Sequence, residues 1–118
     1  SGELLWSCSP DTVVWNFLPL FPGDGTIVFQ SWSGSAYRVN LTDGQPLWRA
    51  GAPPGGEAWT DGGAALGPNG VFYTVSSSGK QSDSFKSWGG GLHAFSVSDG
   101  APLWGGTDFD RGLYNYPA

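Results

Sequence analysis

The phrase DGQPLW at residues 43–48 returns as DGAPLW at 99–104, and a frayed copy, SGELLW, opens the chain. Such repetition makes the chain a tandem of one structural unit. The tryptophans that close the copies, Trp6, Trp48 and Trp104, lie 42 and 56 residues apart. Most of the extra length in the second interval falls in SSSGKQSDSFKSWGGG, residues 76–91, a polar Gly/Ser-rich stretch. This is a loop expanded inside a repeat.

A unit of roughly 40 residues has room for four short strands and tight connections, the content of one propeller blade. NFLPLF and GGAALG read as the first strands. TIVFQSW and GVFYTVSS, entered through Asp24-Gly25 and Asn69-Gly70, read as the second strands, behind strong hairpin pairs. SAYRVNL and GLHAFSVS alternate as half-buried third strands. Asp43-Gly44 and Asp99-Gly100 then turn the chain into PLW, an outer strand on which Pro46 and Pro102 are tolerable because an edge has donors to spare. The closing indole offers ~150–250 Å² for burial, enough to clamp one sheet on the next.

The expected fold is therefore all-β, a partial β-propeller of four-stranded antiparallel blades. Residues 1–6 end one blade, 7–48 form a second, 49–104 a third carrying the insertion 76–91, and 105–118 begin a further one. Composition agrees: no Met, two Glu and two Lys leave helices little to form from, while 20 Gly and 9 Pro punctuate the chain. Closed propellers have ~4–8 blades, so missing blades or protein partners are expected to cover the open sheet edges.

Charge narrows the partners. A net charge of −5, with five scattered basic residues, offers no surface for a phosphate backbone and argues against nucleic acid. No apolar run reaches the ~20 residues that span a bilayer. Cys8, the single cysteine, permits no intrachain disulfide and reads as a small buried thiol. Asn40-Leu41-Thr42 is a glycosylation sequon beside a turn.

At these residues the sequence resembles the propeller repeat of the pyrroloquinoline quinone (PQQ) dehydrogenases and their non-catalytic relatives, Ala-x-Asp-x-x-Thr-Gly-x-x-x-Trp, the tryptophan-docking motif. RVNLTDGQPLW places Arg38, Asn40, Asp43, Gly44 and Trp48 on those positions, and AFSVSDGAPLW places Ala94, Ser96, Asp99, Gly100 and Trp104 there. The resemblance implies that Trp6, Trp48 and Trp104 dock blades together, with Gly44 and Gly100 as structural partners, outside the cytoplasm.

The same resemblance gives GGEAWT a meaning: Trp59 takes the place of the indole that floors the quinone in such enzymes. Their calcium-binding asparagine falls here on Ser77, a poor ligand for a hard ion that takes 6–8 oxygens. Their vicinal cysteines cannot exist with one Cys, and their catalytic aspartate would fall on Asp108 or Asp110, in a Gly-rich stretch where Asp-x-Asp is more often turn chemistry. His93, the sole histidine, reads as a packed or surface residue. Phe85 and Trp88, aromatics within the polar insertion, form a candidate contact surface. The expected function is thus a non-catalytic PQQ-like scaffold module without cofactor or metal; the alternative is a piece of a PQQ- and calcium-dependent alcohol or sugar dehydrogenase.

Overall fold

The computed structural model describes residues 2–51, 59, 60, 63–77 and 90–109, with backbone alone at 90 and 105–109. Phe85, Trp88 and Asp110 lie outside the described residues, as does the side chain of Asp108. The described chain is all-β. Strands β1 (Thr26–Gln30), β2 (Ser35–Asn40) and β3 (Pro46–Gly51) form one antiparallel sheet in the order β1-β2-β3. Strands β4 (Ala64–Leu66), β5 (Val71–Ser77), β6 (Gly90–Ser96) and β7 (Pro102–Phe109) form a second in the order β4-β5-β6-β7.

Turn chemistry sets this order. Asn69 and Gly70 both take positive φ (59° and 70°), the backbone that these two residue types tolerate best, and deliver the chain into β5. The β2–β3 and β6–β7 turns are near copies. Gly44 N–H donates to the Asn40 carbonyl and Gly100 N–H to that of Ser96, both at 2.9 Å. Both glycines sit at φ 73°. Asp43 accepts from Gln45 N–H at 3.0 Å, and Asp99 from Ala101 N–H at 3.1 Å. The sequon asparagine belongs to this turn as well, its Oδ1 accepting from Thr42 N–H at 2.8 Å.

Alternation then sorts the side chains. Val28 and Ala36 of the first sheet pack on Ala64, Phe72 and Phe95 of the second, with Trp48 and Ala50 at the margin. The opposite face of the first sheet carries Ile27, Phe29, Tyr37 and Val39, with Trp6 against them. Phe29 and Tyr37 stack at 5.4 Å, and Phe17 meets Phe29 edge-on at the same distance.

Two expectations are corrected. NFLPLF forms no full strand: only Leu20 pairs, exchanging two hydrogen bonds of 2.9 Å with Val28. Pro22 has no N–H to give at the next ladder position toward Thr26, so the pairing does not extend that way and the sheet has three strands. Cys8 is exposed, because it lies in the irregular segment that crosses the outside of the first sheet. The outer strands extend beyond their tryptophans, to Gly51 and Phe109.

Candidate functional site

Each docked indole meets the next copy of the repeated phrase. Trp48, on β3, donates its Nε1–H to the carbonyl of Val97 at 2.8 Å and lies over Gly100. A Cβ at Gly100 would stand 2.9 Å from the indole carbons Cδ2 and Cε3, so only glycine admits the ring. Trp6 repeats the arrangement: its Nε1–H reaches the Leu41 carbonyl at 2.8 Å, and a Cβ at Gly44 would fall 2.5 Å from its Cε3. In both cases the acceptor lies three residues before the glycine. Trp104 differs. It sits against Tyr73, ring centroids 6.4 Å apart, with 40% of its surface exposed.

Arg38 braces the same junction. Its Nη1 donates to the carbonyls of Val97 (2.9 Å) and Ser98 (3.1 Å), its Nε to Thr26 Oγ1 (3.1 Å), and its Nη2 pairs with Asp24 at 2.7 Å. The Thr26 hydroxyl, and then the guanidinium, hold the Asp24 carboxyl below its ordinary value. The carbonyl of Val97 thus takes two donors from the first sheet, one from the indole and one from Arg38. Replacing Arg38 with alanine should cost about 1–3 kcal/mol, the range for hydrogen bonds from a charged donor, read as a lowered urea midpoint.

A second cluster escaped sequence reasoning. Asp11 accepts hydrogen bonds from the hydroxyls of Ser31 (2.8 Å), Ser33 (2.7 Å), Ser35 (3.1 Å) and Tyr37 (2.8 Å), and pairs with Arg49 at 2.9 Å. Burial alone would raise its pKa. The hydroxyls of Ser33, Ser31, Tyr37 and Ser35 outweigh that and hold the carboxyl far below the usual range. The signal was present in SWSGSAY: three serines and a tyrosine crowd the β1–β2 turn and the start of β2. A carboxylate so fully engaged has no lone pair to spare for proton transfer. It pins the segment around residue 11 to the first sheet.

Trp59 forms a bridge with Ser77, N–H to carbonyl in both directions at 2.9 and 2.7 Å, and Thr60 N–H donates to the Trp32 carbonyl. Only 2% of Trp59 is exposed, and Ser77 is buried too. An indole enclosed in this way has no open face on which a planar quinone could lie, and the Ser77 hydroxyl carries no charge for calcium. Among the described residues, no three of His, Cys, Asp or Glu gather in one place. His93, half-buried on β6, is hydrogen-bonded to Ser76 at 3.1 Å and stacks on Phe95. It borders a cleft of about 500 Å³ between the sheets, with Ala50, Gly51 and Pro102.

No protein-family model and no curated protein matches this chain. Among the described residues, no helix is long and apolar enough to cross a membrane.

Proposed function

We propose that the chain is a non-catalytic module of PQQ-like repeats, working outside the cytoplasm, which joins sheet to sheet within a larger propeller or multi-subunit assembly. The supporting observation is the paired docking of Trp6 and Trp48, each on the glycine and carbonyl of the next phrase at the same offsets. A device that repeats with the sequence belongs to a stacked array, where each unit buries its apolar face only against a neighbour. The residues that would serve quinone chemistry point the other way, since Trp59 is enclosed and a neutral hydroxyl stands at the calcium position.

Titration with PQQ and calcium tests this reading against the dehydrogenase alternative. Tryptophan emission should show no saturable quenching, and an artificial electron acceptor should not be reduced in the presence of alcohols or sugars. Saturable quenching that disappears in Trp59→Ala, together with turnover, would establish the enzyme instead.

A further inference from the structure

Asn40-Leu41-Thr42 is a motif that the scaffold reading leaves unused. It spans the last residue of β2 and the turn that leads to β3. Leu41 and Thr42 are exposed and Asn40 is half-buried. Backbone bonds hold the segment on both sides: Asn40 N–H donates to the Gln45 carbonyl at 2.9 Å, and Leu41 N–H to that of Gly25 at 3.0 Å. Within this frame the two ends of the Asn40 amide differ. Its Oδ1 accepts from Thr42 N–H at 2.8 Å, whereas Nδ2 makes no hydrogen bond and is not sealed from solvent. The Thr42 hydroxyl is unengaged as well.

Alternation decides whether the turn has room for a bulky group on that nitrogen. Val39 lies on the face that Trp6 covers, and Asn40, the next residue, points to the other. A group on Nδ2 therefore does not contest the Trp6 indole, which takes the Leu41 carbonyl and the space over Gly44. On its own face Asn40 pairs with Thr26, at the end of the β1–β2 ladder. Arg38, one step inward on that face, makes the bonds to the Val97 and Ser98 carbonyls, and Asn40 makes none to the second sheet. The second phrase has Ser96 at the matching position, so it offers no acceptor amide there.

We propose that Asn40 is an N-glycosylation site whose glycan stands at the rim of the first sheet, on the face opposite Trp6. This rests on the scaffold reading only for its location outside the cytoplasm. An amide nitrogen is a weak nucleophile, because its lone pair is shared with the carbonyl. The transfer is therefore enzymatic, and the hydroxyl two residues on is part of what the transferase reads. The donor is an oligosaccharide joined through its anomeric carbon to a lipid pyrophosphate. Nδ2 loses one proton to a transferase base and bonds to that carbon. The bond from carbon to the pyrophosphate oxygen breaks, and the lipid pyrophosphate leaves with the electron pair. Nothing is oxidised or reduced. Oδ1 can still accept from Thr42 N–H afterwards, so the turn survives the modification.

The full chain, directed through the secretory pathway of a eukaryotic cell, tests this in the secreted and cell-retained fractions alike. Sugar is added before folding is complete, so a variant that misfolds still reports. The parent should run above its polypeptide mass and fall to it on treatment with the amidase that removes N-linked glycans. In heavy-oxygen water that cleavage should leave its label at residue 40. Two variants separate the acceptor from the turn. Asn40→Asp keeps an oxygen for the Thr42 N–H and removes the acceptor nitrogen, while Thr42→Ala keeps the N–H and removes the hydroxyl. Both should lose the glycan entirely, and Thr42→Ser should retain it. An unmodified Asn40 in the parent would overturn the proposal, and so would a glycan that survives Asn40→Asp. Neither result touches the scaffold reading, because export is imposed and the quinone titration tests that reading separately.

Discussion

Truncating Trp48 to alanine is expected to lower the unfolding free energy by about 3–5 kcal/mol, the range for removing a large aromatic from a packed junction. The indole contributes in two ways. It packs at the margin of the core shared by the sheets, 6.4 Å from the Phe72 ring, and it donates to the Val97 carbonyl. Trp48→Phe separates these, because the smaller ring keeps much of the packing and loses the hydrogen bond, worth about 0.5–1.5 kcal/mol net. Gly100→Ala attacks the junction from the other side. A left-handed backbone at φ 73° costs a side chain roughly 1–2 kcal/mol before the new methyl meets the indole. Urea unfolding of the three variants should rank Trp48→Ala lowest and Trp48→Phe nearest the parent. A Trp48→Ala midpoint equal to that of the parent would remove the indole from the account of stability.

The second large effect belongs to Asp11. Asp11→Asn should destabilise the chain by about 1–3 kcal/mol, because an amide replaces a part-buried carboxylate on which five donors converge. The side chain of Asp11 is 14% exposed and that of Arg49 36%, so solvent screens the ion pair in part and the hydroxyl bonds carry more of the effect. Acid should have the same effect. The folded carboxyl titrates far below its unfolded value of about 4, so its contribution is complete above that pH and drains away as pH falls below it. Chemical denaturation at a series of pH values should show the parent losing stability steeply below about pH 4, and Asp11→Asn losing less over the same window. Parallel curves for the two proteins would contradict the assignment.

How much of this was legible beforehand follows from where each signal resides. Strands β2 and β6 were readable because the alternation lies within them, and β1 and β5 because Asp24-Gly25 and Asn69-Gly70 mark their approaches. The recurring turns were readable because Gly44 and Gly100 occupy backbone that only glycine adopts without strain. Pro19 and Pro22 were also in plain view. The missing donor at Pro22 limits NFLPLF to one paired residue, where GGAALG pairs over Ala64–Leu66. The Asp11 cluster was half legible. The crowded serines declare a polar turn, but nothing local ties them to a carboxylate some 20 residues earlier in an irregular segment. The reading of Cys8 as a buried thiol failed for the same reason, since its exposure depends on the path of that segment and not on its neighbours in sequence. The enclosure of Trp59 depends on pairing with Ser77 across the intervening chain, a contact that composition and spacing do not encode.

The measurement that bears most directly on the repeated docking is an NMR nuclear Overhauser spectrum of the intact chain, with its tryptophan side chains assigned. Cross-peaks are predicted from Trp6 Hε3 to Gly44 Hα and from Trp48 Hε3 to Gly100 Hα, with both indole N–H protons slow to exchange. Absence of both cross-peaks, with all three repeat indoles exchanging as freely as solvent-exposed ones, would contradict it.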